Sequence, residues 1–263
     1  MQDAQPPHRI GVFDSGVGGL SVLRAIRQRL PDVAITYIGD VAHAPYGERR
    51  VEVIDRGQRI VENLVGRGAR MIVVACNTLT VLGIERLRRD WPGVGFVGVE
   101  PGIKPAAARS RTRRIAVLAT PATAASPRLH ALIAAHAAGC HVHVQPCPGL
   151  AAAIESGAPK SHLRALLTPF CEPARRAGVD VVVLGCTHYA FVSKLLSEQF
   201  GSDVALLDTA DAVARRAASQ WTFARSAGIQ AVEVLSSGAT QTMSTLLAVC
   251  AGLEGVAVGQ VQP

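Results

Sequence analysis

The sequence is short of aromatic residues and of long apolar runs. Aromatic side chains make up 4% of the 263 residues, and none is interleaved with the densest basic cluster, which runs from Arg109 to Arg114. Platforms on which nucleic-acid bases could stack are therefore missing. No apolar run approaches the roughly 18 residues that would span a bilayer, and the first residues lack the basic and apolar regions of a signal peptide. We expect a cytoplasmic protein that contacts no membrane.

Disulfide frameworks and the common cofactor signatures are also missing. The six cysteines are spaced irregularly, which is typical of thiols in a reducing compartment. The chain has three lysines, Lys104, Lys160 and Lys194, and none lies in a pattern known for pyridoxal phosphate. The four residues Cys140, His141, His143 and Cys147 have the chemistry of zinc ligands, but adjacent residues of a strand point to opposite faces. We therefore expect neither a cofactor nor a metal.

Negative charge is scarce as well, since the formal net charge is +7. Most basic residues fall on the polar faces of predicted helices, as Arg24, Arg27 and Arg29 do. This pattern favours a solvated basic surface that attracts small acidic ligands. Contact with a nucleic acid is the alternative, and without interleaved aromatic residues we do not expect it.

What the chain does have is an alternation of apolar strands and amphipathic helices. The runs Ile10–Phe13, Val33–Ile38 and Val94–Val99 are typical of buried strands, and a fourth precedes Cys76. Leucine and isoleucine at helical spacing follow Ile10–Phe13, Val33–Ile38 and the strand that precedes Cys76. Strands that alternate with helices predict an α/β fold with a parallel sheet.

The second half of the chain repeats the pattern of the first. The run from Arg113 to Leu118 resembles the run from His8 to Phe13. Cys140–Gln145 then parallels Val33–Ile38, and Val179–Leu184 parallels the strand before Cys76. The sequence therefore predicts two related α/β units. A strand and a helix after Leu207 could complete either sheet.

Two cysteines occupy matching positions in the two halves. Met71–Thr78 reads MIVVACNT and Val181–Tyr189 reads VVVLGCTHY, so Cys76 and Cys186 each follow an apolar strand. Ligands bind at the carboxyl ends of the strands in open α/β sheets. Two thiols that face each other there could remove a proton from one side of a carbon and return one to the other. For each cysteine alone, a small buried apolar residue is the alternative.

Four further residues could assist such proton transfer. Asp14 and Asp40 end adjacent strands and could bind an ammonium group, although either could be a helix cap or a turn residue. His188 lies two residues after Cys186, where a cationic imidazole would favour a thiolate; a core histidine is the alternative. Glu155 follows the strand that corresponds to the one ending at Asp40, and by itself it fits a surface helix.

Taken together, the motifs resemble those of one known family, the glutamate racemases, which are cofactor-independent enzymes that make D-glutamate for peptidoglycan. The shared motifs, in family order, are Gly11–Gly19, Gly39-Asp40, Pro45–Gly47, Ala75–Thr78, Gly98–Pro101, Cys147-Pro148, Glu155–Gly157 and Gly185–Tyr189. The resemblance covers nearly the whole chain.

The resemblance implies a fold of two similar flavodoxin-like parallel-sheet domains that face each other, with the active site in the crevice between them. Residues 1–99 and 208–263 would form the first domain, and residues 100–207 the second. The family also implies a homodimer and a small-molecule substrate, L- or D-glutamate.

The resemblance further implies the roles of individual residues. Cys76 would take the α-proton of D-glutamate, and Cys186 that of L-glutamate. The residues at substrate-binding positions are Asp14, Ser15, Tyr46, Gly47, Asn77, Thr78, Thr187 and His188. The residues that would assist proton transfer are Asp14, Asp40, Glu155 and His188.

The chain departs from the family pattern at three places. Ala190 stands where the family usually has proline, Val41 where threonine or serine is common, and Leu79-Thr80 where Ala-Ser is common. We expect altered local packing or affinity but no loss of activity. An aspartate or hydantoin racemase is the nearest rival interpretation, and an additional role in binding and inhibiting DNA gyrase is a rival of another class.

Overall fold

Ten parallel strands form two separate sheets in the computed structural model of the chain, which describes residues 8–48 and 52–263. The strands are β1 (Arg9–Asp14), β2 (Ala34–Gly39), β3 (Ala69–Val74), β4 (Gly95–Gly98), β5 (Arg114–Ala119), β6 (His141–Pro146), β7 (Val181–Gly185), β8 (Ala205–Leu207), β9 (Val232–Ser236) and β10 (Val258–Gln260). The first sheet has the order β10-β9-β2-β1-β3-β4, and the second has the order β6-β5-β7-β8.

Helices connect the strands and cover both faces of each sheet. They are α1 (Leu20–Arg29), α2 (Val53–Gly66), α3 (Asn77–Asp90), α4 (Ile103–Arg109), α5 (Pro121–Ala124), α6 (Pro127–His136), α7 (Leu150–Glu155), α8 (Lys160–Arg176), α9 (Ser193–Phe200), α10 (Ala210–Gln220) and α11 (Gln241–Leu246). Short 3₁₀ turns span Val41–His43, Tyr46–Glu48 and Thr187–Val192. Among the described helices, none is both long and apolar enough to cross a membrane.

The apolar strands pack on both faces because their side chains alternate. In β3, Met71 and Val73 join the core on the α1 and α10 side, whereas Ile72 and Val74 join the core on the α2 and α3 side. A strand buried on both faces reads as a continuous apolar run. The same alternation in β5 and β7 builds two cores around the second sheet.

The two sheets share one arrangement of their first four strands. In both, the second strand in the chain pairs with the first, the first with the third, and the third with the fourth. This order is the flavodoxin-like one. The predicted α/β fold of two similar parallel-sheet domains is confirmed.

The closing elements belong to the first sheet, since β9 pairs with β2 and β10 with β9. The sequence predicts the strand at β9 and the helix at α11, but it does not predict β10, whose three residues are too few for a recognisable pattern. The domain boundaries at residues 99 and 208 remain a prediction.

Candidate active site

The carboxyl ends of β1 and β3 in the first sheet meet the carboxyl end of β7 in the second. Cys76 lies between β3 and α3, and Cys186 lies between β7 and the turn Thr187–Val192. Both cysteines line one small cavity and are nearly buried, with 4% and 7% of their surface exposed. The matching positions seen in the sequence therefore bring two thiols to one crevice.

The crevice is almost closed. Its volume is about 10 Å³, which is enough for about one water molecule. The predicted site residues that line it are Ser15, Tyr46, Gly47, Cys76, Asn77, Thr78, Cys186, Thr187 and His188. Three residues not predicted for the site also line it, namely Pro45, Thr120 and Ala151. An amino acid can enter only if the two walls separate.

The predicted acidic residues do not line the crevice but lie behind its walls. Asp14, behind the Cys76 side, is fully buried. Its Oδ1 accepts hydrogen bonds from the Ser15 backbone N–H at 2.7 Å and from the Ser15 hydroxyl at 3.3 Å. The Cys76 thiol donates in turn to Ser15 Oγ at 3.7 Å. A continuous path of polar atoms therefore joins the Cys76 sulfur to the Asp14 carboxyl.

Electrostatics favour a proton on the Cys76 side. Burial raises the pKa of the Cys76 thiol, and the negative charge of Asp14 raises it further. Burial also raises the pKa of Asp14, and the cationic His188 offsets only part of that rise. Cys76 is therefore a thiol at neutral pH.

On the other side, a histidine connects Cys186 to a carboxylate. His188 Nδ1 lies 3.8 Å from Cys186 Sγ, and His188 Nε2 lies 2.5 Å from Glu155 Oε2. The same carboxylate oxygen accepts a hydrogen bond from the Val17 backbone N–H at 3.0 Å. Glu155 is thus not a surface residue of α7, which its local sequence would allow. It connects the second sheet to the glycine loop, Ser15–Gly19, which follows β1 in the first sheet.

The state of His188 follows from these contacts. Burial alone lowers the pKa of His188, but hydrogen bonds and charge interactions with Cys186 and Glu155 outweigh it and raise the pKa well above its ordinary value. His188 is therefore an imidazolium at neutral pH, with one N–H directed at the Cys186 sulfur. Glu155 Oε1 is buried, and no hydrogen-bond partner for it occurs in the described ranges.

The loop after β1 comes very close to the second sheet. A Cβ atom added to Gly18 would lie 2.5 Å from both His188 Nδ1 and Thr187 Oγ1. Thr187 also donates from its hydroxyl to Asp14 Oδ2 at 3.2 Å across the crevice. Only a residue without a side chain fits there, which accounts for the glycine at position 18.

The start of α3 supplies polar groups from the first sheet. Asn77 Nδ2 donates to the Val99 carbonyl at 3.2 Å, and Asn77 Oδ1 is buried without a hydrogen-bond partner among the described residues. Thr78 Oγ1 lies 3.1 Å from Thr120 Oγ1 and 3.5 Å from Thr123 Oγ1. Sequence reasoning missed the two threonines of the second sheet. The internal repeat was the available signal, because Thr120 follows β5 much as Ser15 follows β1.

Asp40 contacts neither thiol. Its carboxylate accepts hydrogen bonds from the Tyr46 hydroxyl at 2.6 Å and from two nitrogens of Arg56 at 2.7 and 3.0 Å. Sequence reasoning missed Arg56 too. A signal existed, because Arg56 lies at helical spacing between Val53 and Ile60 on the buried face of α2, and an arginine there needs a buried partner.

The other candidate groups lie outside the crevice. No cluster of three or more potential metal ligands occurs in residues 8–48 and 52–263. Arg109, Arg111, Arg113 and Arg114 are exposed at the start of β5, the end remote from the crevice. Where the sequence departs from the family pattern, Leu79 is buried in the core and Thr80 donates to the Val74 carbonyl at 3.3 Å.

Comparison with known proteins gives a consistent result. The family profile described as Asp/Glu/hydantoin racemase matches residues 10–217. A curated glutamate racemase of Ectopseudomonas mendocina is 43% identical over 257 residues, which cover 96% of this chain and 97% of the relative. One from Pseudomonas paraeruginosa is 49% identical over 209 residues, 79% of each chain.

Solved structures agree with the sequence relatives. Glutamate racemase isoform RacE1 from Bacillus anthracis superimposes with a TM-score of 0.85 at 26% identity and covers 97% of both chains. The Escherichia coli glutamate racemase in complex with L-glutamate and the activator UDP-MurNAc-Ala has a TM-score of 0.83 at 29% identity, with 97% of this chain and 98% of that chain covered.

Proposed function

This chain belongs to the Asp/Glu/hydantoin racemase family, and from that premise we propose that it interconverts L- and D-glutamate with two thiols as the proton-transfer groups. The observation that carries the proposal is the pair Cys76 and Cys186 in one crevice. The near full-length similarity to glutamate racemases supports glutamate as the substrate, in preference to aspartate or a hydantoin.

The two thiols work in opposite directions. Cys186 removes the α-proton of L-glutamate while Cys76 donates a proton to the other face of the carbon; with D-glutamate the roles are exchanged. A single placed general base contributes about 10²–10⁴ in rate, whereas enzymes commonly lower a barrier by about 8 kcal/mol or more. The remainder comes from positioning and from exclusion of water by the nearly closed crevice.

The flanking groups support this division of labour. The raised pKa of Cys76 keeps a proton ready for donation, and the path through Ser15 to Asp14 connects Cys76 to a second buried acid. The His188 imidazolium places a positive charge next to the sulfur of Cys186. After L-glutamate has been converted to D-glutamate, Cys186 carries a proton and Cys76 does not. The reverse reaction needs the two thiols in these states.

The polar lining supplies groups for the substrate. The Thr78 hydroxyl can donate to a carboxylate of glutamate, and the buried Asn77 Oδ1 can accept from its ammonium group. The hydroxyls of Ser15 and Thr187 donate to Asp14 in the closed crevice, and each can donate to a substrate carboxylate once it releases Asp14. Tyr46 and Gly47 complete the wall. We also propose that the domain boundaries lie near residues 99 and 208, so that each domain provides one wall of the crevice.

The biological setting that we propose is the cytoplasmic supply of D-glutamate for peptidoglycan, by a homodimer. If the protein supplies this D-glutamate, growth of the cell depends on the protein. Depletion of the protein in its host should stop growth, and added D-glutamate should restore it; growth that continues without either would contradict the role.

Exchange of the α-proton in D₂O, followed by NMR, tests the reaction itself. The wild type should racemise both enantiomers of glutamate and incorporate deuterium, whereas Cys76→Ser and Cys186→Ser should each abolish racemisation. Cys140→Ser is the matched control, because Cys140 lies just before β6 and away from the crevice. Racemisation by a variant lacking one of the two thiols at near wild-type rate would refute the two-thiol mechanism, and faster turnover of aspartate would refute the substrate.

A further inference from the structure

A buried cluster centred on Asp40 supports one wall of the crevice. Asp40 is fully buried, and its two carboxylate oxygens contact five donor atoms. The donors are the Tyr46 hydroxyl at 2.6 Å, Arg56 Nε at 3.0 Å and Nη2 at 2.7 Å, the Ser237 hydroxyl at 2.7 Å, and His43 Nδ1 at 3.1 Å. A carboxylate has about four lone-pair sites, so Asp40 has no free site for a substrate or a thiol.

The charge state of the cluster is fixed by the same contacts. Burial alone would raise the pKa of Asp40, but hydrogen bonds from Arg56, Tyr46 and Ser237 and the positive charge of Arg56 lower it below its ordinary value. Burial and the charge of Asp40 raise the pKa of Tyr46, so its hydroxyl stays protonated. Asp40 is thus an ionised hydrogen-bond acceptor and Tyr46 a neutral donor. Neither group is in a state to exchange a proton with the substrate or with a thiol.

Arg56 connects this cluster to the end of the chain. Its side chain is 11% exposed, and it grips Asp40 with two nitrogens, which is the rigid geometry of a guanidinium with a carboxylate. Its third nitrogen, Nη1, donates to the Pro263 carbonyl at 2.9 Å. Pro263 lies three residues after Gln260, the end of β10, so the segment that follows this strand helps to hold Arg56.

The wall that the cluster supports touches the opposite domain. Tyr46 and Gly47 line the crevice, and a Cβ atom added to Gly47 would lie 2.7 Å from Thr120 Cβ. A shift of this turn would therefore change the width of the closed crevice. The only polar atom of the Tyr46 side chain is bonded to Asp40, so the position of the turn depends on Asp40.

We propose that Arg56 is a positioning residue, which through Asp40 fixes Tyr46 and Gly47 at the wall of the crevice and takes no part in proton transfer. The proposal rests on the racemase function given above. It also assigns Asp40 a supporting role, in place of the proton-transfer role that the family resemblance implies for it.

Arg56→Lys tests the proposal, since lysine keeps the charge but cannot grip both oxygens of the carboxylate. The matched control is Arg59→Lys, an exposed position on the same helix. Tyr46→Phe is a second variant, which removes one hydroxyl and leaves Arg56 in place. We expect the KM for glutamate to rise about tenfold in both test variants, with kcat within about threefold of wild type and an unchanged pH profile of kcat.

Hydrogen exchange of the backbone in residues 41–47 provides a readout that does not depend on activity. Exchange there should be faster in Arg56→Lys and Tyr46→Phe than in the wild type, and unchanged in Arg59→Lys. If kcat falls while exchange stays at the wild-type rate, or if neither KM nor exchange changes, the proposal is wrong. An inactive wild type would contradict the racemase function, whereas the exchange result would still decide whether Arg56 holds the turn.

Discussion

Replacing Glu155 with glutamine removes the negative charge that lies 2.5 Å from His188 Nε2 but keeps an oxygen that can accept from the Val17 N–H. The two side chains are 12% and 4% exposed, so water compensates little for the lost charge. A hydrogen bond to a charged group is worth about 1.5–3 kcal/mol. If His188 assists Cys186, Glu155→Gln should lower kcat/KM by about 10- to 100-fold.

Loss of the Glu155 charge should raise the barrier of the proton transfer at Cys186 and leave that of the transfer at Cys76 unchanged. The enantiomers of glutamate have equal free energy, so kcat/KM must fall by the same factor in both directions. The transition state in which Cys186 exchanges a proton with the carbon is raised, and it becomes more strongly rate-limiting. The α-deuterium isotope effect on kcat/KM should therefore increase with L-glutamate and decrease towards unity with D-glutamate.

Initial rates with α-deuterated and unlabelled enantiomers measure this asymmetry. Ser15→Ala is the mirror control, because it removes the hydroxyl that accepts from the Cys76 thiol at 3.7 Å, and its isotope effects should change in the opposite sense. If Glu155→Gln changes the isotope effects for both enantiomers in the same way, the carboxylate does not act through Cys186. A fall in kcat/KM of less than about threefold would lead to the same conclusion.

Two further substitutions test the packing of the site and the stability of the fold. Gly18→Ala places a methyl group 2.5 Å from His188 Nδ1, so KM should rise about tenfold or more because the crevice cannot close; Gly66→Ala, with no atom within 4 Å of the new Cβ, should behave as wild type in the same assay. Burial alone would raise the pKa of Asp180, but hydrogen bonds from Ser110 and from two backbone N–H groups lower it to about 2. The ionised Asp180 therefore stabilises the fold above its unfolded pKa, and this stabilisation is lost as the pH falls through its folded pKa. In urea unfolding, Asp180→Asn should lower the free energy of unfolding by about 1 kcal/mol near pH 7 and by less near pH 3. An equal decrease at both pH values would contradict this reasoning.

The fold class and the location of the two thiols follow from local sequence patterns. Apolar runs such as the one before Cys76 specify strands buried on both faces, and helical spacing in the intervening segments specifies the connections. Parallel strands place their carboxyl ends at one edge of a sheet, so a residue that directly follows such a strand is at the ligand edge. The internal repeat then relates Cys76 to Cys186 without knowledge of any contact.

The partners of these residues were decided by the tertiary structure. Glu155 reads locally as the end of a surface helix, and it becomes the partner of His188 only because the second sheet packs against the glycine loop of the first. Arg56 and Pro263 are 207 positions apart in the sequence. Hydrogen bonds over such separations depend on how helices and sheets pack, and that packing is set by the summed burial of many side chains. The sequence by itself therefore determined which strand ends carry the chemistry, whereas only the tertiary structure decided which charged groups support each thiol.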